Sequence, residues 1–249
     1  MNTPLGLEKC SPFIRSQFQP TARAIASSGT SLHLFAVTIS RQTGSGAHAV
    51  GEMLAHYLQA HAPKGSSPWK LFDSNLAEQV LEDHHLPRRY TRFMPEDRIS
   101  EVVDTMDELL GAHPPSWSLV SQTAETILRL AEEGNVILIG RGANLVTSKF
   151  DHVLHVRLVG SLEKRVAQIQ KLQAVGREAA LQFIRKEDLG RRRYLKKYFN
   201  EEIDNPLLYH LVINTDLVPY DRAARMIADA VLSGLHRKSP NRAEPLPTP

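Results

Sequence analysis

The sequence predicts an α/β fold: a mostly parallel β-sheet flanked by helices on both faces. Short apolar runs at 34–39, 136–140, 152–158 and 210–214 alternate with stretches of helical periodicity at 47–60, 74–83, 97–111, 118–133, 161–173, 177–198 and 220–236. Several connections are short and turn-like: Gly134-Asn135 precedes the run Val136-Ile137-Leu138-Ile139, and Val218-Pro219 introduces the last helix. After the loop at 62–68, Trp69-Lys70-Leu71-Phe72 reads as a further short strand. In such a sheet, ligands bind beyond the carboxyl ends of the strands, so the residues just after each apolar run are the candidates for chemistry.

The first strand runs through Thr38-Ile39-Ser40-Arg41-Gln42-Thr43-Gly44-Ser45-Gly46-Ala47-His48 into a helix. Glycines without side chains let backbone amides converge on phosphate oxygens, and the helix amino terminus adds partial positive charge. The segment is a cradle for a phosphorylated ligand. It departs from G-x-x-x-x-G-K-[ST] at three positions, with Arg41 at the first glycine, Ala47 at the lysine and His48 at the hydroxyl. Gly44 to Ala49 also fits the dinucleotide pattern G-x-G-x-x-A, although Asp73 lies further along than its ribose-binding acid should. A turn that merely requires glycine is the plainest alternative.

Composition limits the setting. The chain has 249 residues, enough for one substantial α/β domain. A net charge of +3 and an isoelectric point near 9.0 permit anionic ligands without demanding a long nucleic-acid footprint. Cys10 is the sole cysteine, which excludes an intrachain disulfide framework and a multi-cysteine metal site, and a reducing cytoplasm is the expected location. No apolar run approaches the roughly 20 residues of a membrane-spanning helix. Residues 1–31 read as a flexible tail and the proline-rich 237–249 as a disordered one.

Arg141 follows the strand at 136–140, where its guanidinium fork could grip a phosphate with two parallel hydrogen bonds. Residues 184–198 carry seven cations in fifteen positions, in general a solvated helix face. Within that run Asp188, Arg191 and Tyr194 recur every three residues and therefore lie close together on a helix. Adjacent His84 and His85 do not converge as a metal site, and Ser45 with His48 lacks the surroundings of a hydrolase triad.

Taken in order, these pieces resemble the cytidylate kinase-like family, a branch of the nucleoside monophosphate kinases among the P-loop NTPases. The resemblance runs from Thr38–Gly46 through Leu71-Phe72-Asp73, Val136–Ala143, His155–Leu158, Leu162, Glu163 and Arg165. It continues through Ile184, Asp188, Arg191 and Tyr194 to Asp204-Asn205-Pro206, Tyr209 and Leu211–Thr215. It implies a three-layer P-loop kinase fold over 32–236, with an acceptor-binding insert at 72–118 and a helical lid at 185–205. It also implies transfer of the γ-phosphoryl group of ATP, with Mg2+, to a (deoxy)nucleoside monophosphate such as CMP.

Carried over by position, Gly44, Ser45, Gly46, Ala47 and His48 would cradle the donor phosphates. Arg41, Arg141, Asp188 and Arg191 would form the catalytic set, and Asp73, Arg141, Asp188 and Tyr194 would serve the acceptor. No protein ligand to the metal is assigned. Nucleotides are the expected partners, neither membrane nor nucleic acid is, and the resemblance leaves the oligomeric state open. The chain departs from the family in Gln42 for an acid, Ala47-His48 for Gly-Arg, Gly142 for an aspartate and Ser74 for a cation. A catalytically weak or inactive nucleotide-binding regulatory protein is therefore the alternative function.

Overall fold

The computed structural model describes residues 35–73, 76–85 and 116–234. Both tails, the expected helix at 97–111 and most of the expected insert lie outside the described residues. Within them, strands β1 (Ala36–Arg41), β2 (Lys70–Phe72), β3 (Val136–Ile139), β4 (Val153–Val159) and β5 (Leu211–Asn214) form one sheet in the order β2-β3-β1-β4-β5. All four neighbouring pairs are parallel. The expected parallel α/β sheet is present. β1 begins and ends two residues later than the apolar run at 34–39, because pairing with β4 continues through Ser40↔Arg157 and Arg41↔Leu158. Polar Ser40 and Arg41 thus belong to the strand, which hydropathy alone hides.

The helices are α1 (Ala47–His61), α2 (Leu76–Asp83), α3 (Ser116–Glu133), α4 (Ala143–Val146), α5 (Leu162–Gln173), α6 (Arg177–Phe199) and α7 (Tyr220–Leu232). Strand alternation assigns the two faces of the sheet. Val37, Ile39, Ile137, Ile139, Leu154, Val156 and Leu158 pack against Val50, Leu54 and Leu58 of α1 and Ile227 and Val231 of α7. On the other face Ala36, Val136, Leu138 and Val153 pack against Ile127 and Leu130 of α3 and Val146 of α4.

The long helix α6 serves two neighbours. Its amino-terminal half sets Ala180 and Ile184 against Val166 and Ile169 of α5. Its carboxyl-terminal half sets Tyr194, Leu195 and Tyr198 against Val120 of α3 and Ile203. This packing carries Asp188 and Arg191, near the middle of α6, over the carboxyl end of β1.

Candidate functional site

The glycine loop between β1 and α1 is shaped by backbone conformation. Gly44 and Gly46 both have φ of +84°, in the left-handed region that glycine enters without steric cost. A Cβ on Gly44 would stand 2.6 Å from the Arg165 carbonyl oxygen, and one on Gly46 would stand 2.2 Å from the Tyr220 ring. Conformation and space both demand glycine. The Ser45 amide and hydroxyl each donate to the Gln42 carbonyl, at 3.1 and 2.8 Å, so that side chain closes the turn. Gly46 is the N-cap of α1 and no side chain caps that helix, leaving its first amides open to an acceptor, as a phosphate cradle requires.

A carboxylate from α6 locks the outer edge of the loop. Asp188 Oδ1 accepts from the Thr43 amide and hydroxyl, both at 2.8 Å. Its second oxygen accepts from Arg165 Nη1 at 2.7 Å, while Arg191 Nη2 reaches Oδ1 at 2.9 Å and also contacts Thr43 Oγ1. Arg165 further donates to the carbonyls of Thr43 and Gly160, at 3.1 and 3.0 Å. Burial pushes the Asp188 carboxyl up, but the Thr43 amide, the Arg191 guanidinium and the Thr43 hydroxyl outweigh it and hold it below the ordinary carboxylate value. From the opposite side Gln42 Oε1 accepts from the Gly160 amide at 3.0 Å, fixing the loop to the end of β4.

The other expected residues fall around this core. Arg41 closes β1 and lies 3.8 Å from Asp73. His48, on the first turn of α1, has Nδ1 3.2 Å from Asp73 and Nε2 3.4 Å from Glu52. Arg141 has φ of +56° between two left-handed glycines, a conformation that costs a non-glycine residue energy and is kept where surroundings impose it. Tyr194 is buried in the α3–α6 cluster with its ring centroid 5.1 Å from that of Tyr198. Of the basic run, Arg191 is buried, Arg192 pairs with Asp204 at 3.3 Å and Lys196 with Glu202 at 3.0 Å.

Residue-level reading gave no role to Thr43, Gln42, Arg165, Arg157 or Asp204, all of which build the site. Arg157 is buried and donates to Ser40 Oγ at 2.9 Å and to Asp204 at 2.6 Å, fixing the chain after α6 beneath the sheet end. Tyr209 donates to the Ile203 carbonyl at 2.8 Å, and burial raises its phenol above the ordinary value. The signal that could have found Arg157 is a charged residue in mid-strand, which needs a partner when buried. Among the described residues no group of three histidine, cysteine or acidic side chains is arranged to hold a metal. The open amides and surrounding guanidinium groups fit a nucleotide polyphosphate, with any magnesium held mainly by the phosphates and water.

The strand order, the glycine loop and the cations above the strand ends define a P-loop kinase-type α/β domain. The cytidylate kinase-like family model matches residues 36–217, and the chain belongs to that family. The cytidylate kinase of Pyrobaculum calidifontis is 25% identical over 203 residues, covering 81% of this chain and 95% of that protein. That of Pyrobaculum islandicum is 26% identical over 200 residues, covering 80% and 94%. A solved structure of an uncharacterized protein from Eubacterium ventriosum shares the fold, with a TM-score of 0.58 and 18% identity, covering 80% of this chain and 99% of its own. No helix among the described residues is long and apolar enough to cross a membrane.

Proposed function

We propose that the protein moves the γ-phosphoryl group of ATP to a (deoxy)nucleoside monophosphate, with CMP the first acceptor to test. The observation that carries this reading is the uncapped amino terminus of α1 behind two left-handed glycines, set beside the Asp188-Arg165-Arg191 cluster. ATP with magnesium supplies the transferable group. The amides of the Gly44–His48 segment hold its phosphates, apart from that of Ser45, which donates to the Gln42 carbonyl, while Arg41, Arg141 and Arg191 offset charge spread over the phosphoryl oxygens. Asp188 holds the lid helix to the loop, so closure and phosphate positioning are coupled. Asp73 and Tyr194 serve the acceptor side, toward the insert at 72–118, and the lid spans 185–205. The cytidylate kinases named above support CMP as the acceptor, and a cytoplasmic setting suits this chemistry.

The test is ADP formation by the purified full chain with ATP, Mg2+ and a panel of nucleoside and deoxynucleoside monophosphates. Turnover on the order of 1–100 s⁻¹ with one acceptor class is expected. Failure with every acceptor at millimolar concentration overturns the reading. A second reading, a nucleotide-binding regulator, is favoured by Ala47 at the loop's cation position and by His48 being engaged by Asp73 and Glu52. Calorimetry that finds nucleotide affinity in a preparation without turnover selects it.

A further inference from the structure

The turn that carries the glycines can be followed peptide by peptide, because each unit has one donor and one acceptor to place. Between Gln42 and Thr43 both are taken: the Gln42 carbonyl accepts from the Ser45 amide and hydroxyl, and the Thr43 amide donates to Asp188. Between Thr43 and Gly44 only the acceptor is taken. The Thr43 carbonyl accepts from Arg165 Nη1 at 3.1 Å, whereas the Gly44 amide donates to no group among the described residues. Gly44 is partly exposed, so this open donor is not sealed in the core.

Arg165 is what fixes that peptide. It is buried, and its guanidinium joins three segments: Nε donates to the Gly160 carbonyl at the end of β4, and Nη1 to the Thr43 carbonyl and, at 2.7 Å, to Asp188 of α6. Its main chain closes on the same loop, since a Cβ on Gly44 would meet the Arg165 carbonyl oxygen. A trans peptide points its carbonyl and its N–H in opposite directions, and no peptide bond among the described residues is cis. A Thr43 carbonyl pinned on Arg165 therefore turns the Gly44 N–H the other way, clear of Arg165.

We infer that Arg165 is a positioning residue: by holding the Thr43 carbonyl it aims the Gly44 amide at a phosphate oxygen of the donor nucleotide. The inference rests on the nucleotide reading above and adds the residue that readies one donor of the cradle in advance. Arg165 touches no substrate, and no bond is made or broken at it. An amide already oriented need not be ordered when the ligand arrives, nor turned when charge develops on the phosphoryl oxygens. Both affinity and turnover then depend on Arg165.

The test is an NMR titration of the isotopically labelled full chain with ADP and Mg2+, followed at the amides of Gly44, Ala47 and His48. In wild type all three should move, the Gly44 proton downfield as it gains a charged acceptor. Arg165→Lys keeps a positive charge beside Asp188 but cannot span Gly160, Thr43 and Asp188 together, and Arg165→Met removes the donors outright. Calorimetry should find ADP weakened about 10-fold by Arg165→Lys and about 100-fold by Arg165→Met. At saturation the Gly44 shift should be reduced in the first and lost in the second, while Ala47 and His48 still respond. In the assay of the proposed reaction Arg165→Lys should lower kcat about 100-fold. A merely structural arginine would lower the melting temperature and leave the Gly44 response in its wild-type proportion to the other two, and that result overturns the inference. So does a wild type in which ADP moves Ala47 and His48 but not Gly44, a result that needs no folded variant and leaves the nucleotide reading in place. A wild type without ADP affinity overturns both. A wild type that shows all three shifts but phosphorylates no acceptor removes the kinase reading and leaves the role of Arg165 standing.

Discussion

The two faces of the same five strands differ sharply. On the face toward α1 and α7 the β1, β3 and β4 residues are aliphatic up to the closing Arg41 of β1, from Val37, Ile137 and Leu154 to Ile39, Ile139 and Leu158. On the face toward α3 and α4 the strands begin aliphatic, at Ala36, Val136 and Val153, and two of them, β1 and β4, then turn polar while β3 stays aliphatic at Leu138. There the register sets Thr38 opposite His155 and Ser40 opposite Arg157. Both pairs make buried hydrogen bonds, of 2.9 Å each. One face holds the domain together, while the other gives up some apolar burial to lead a polar stripe toward the carboxyl ends of β1 and β4. Buried polar groups persist only when satisfied, so this stripe exists because each member has found its partner.

The comparison breaks most severely at the loop that both faces support. Gly44→Ala combines a left-handed φ, costing about 1–2 kcal/mol, with contact against rigid Arg165 backbone, costing about 1–3 kcal/mol. The expected outcome is a loss of about 2–5 kcal/mol in chemical unfolding and no measurable ATP affinity by calorimetry. Gly46→Ala meets the Tyr220 side chain instead, so Tyr220→Ala in that background should restore part of the stability while Tyr220→Ala in the Gly44→Ala background restores none.

On the aliphatic face, Ile137→Ala removes a fully buried side chain between α1 and the sheet. It should cost about 2–5 kcal/mol of stability and leave the nucleotide KM values of the proposed reaction unchanged in the folded protein. A large KM shift for either nucleotide would mean that the division of labour between the faces is not real.

Asp188 tests the link from the glycine loop to α6. Its folded-state value lies below the ordinary carboxylate value, so the ionised form contributes stability at neutral pH, and that contribution is lost as pH falls below about 3.9, through the still lower folded value. Asp188→Asn should lower stability at pH 7 by about 3 kcal/mol, at the low end for breaking a buried pair because the carboxylate keeps some solvent contact. The variant should also unfold with a shallower acid limb than wild type. Equal acid limbs would show that Arg165 and Arg191 are held without it.

Much of the layering was legible in the residues, because a buried parallel strand writes itself as a short aliphatic run and a helix as a longer period. The glycine loop was legible for the same local reason. The spacing of Asp188 and Arg191 correctly placed them within reach, and they meet at 2.9 Å. What was not legible depends on distant segments meeting. Arg165 reaches Asp188 from another helix, Gln42 reaches Gly160 across more than a hundred positions, and Tyr220 rests against Gly46 from the far end of the chain. The end of β1 was misjudged because Ser40 and Arg41 look like loop residues until β4 supplies their register partners. The place of Arg141 after β3 was legible but its left-handed backbone was not, since a positive φ leaves no mark in composition.

The smallest expected effect sharpens the comparison furthest. Thr38→Val keeps shape but leaves buried His155 Nδ1 without the Thr38 hydroxyl, and should cost about 1 kcal/mol. Adding His155→Leu removes the stranded partner, so the double variant should recover most of that loss, because exchanging both members of a buried pair for apolar groups is close to neutral. Its turnover should match wild type, since this pair lies one step back from the strand end. Ser40→Ala, one step further on, should reduce turnover about 10-fold and also cost about 1–3 kcal/mol of stability, because Ser40 accepts from the buried Arg157 guanidinium beside the strand end. If the double variant loses activity as Ser40→Ala does, the polar stripe acts as one unit; if neither does, the stripe is structural and the chemistry begins only at Arg41.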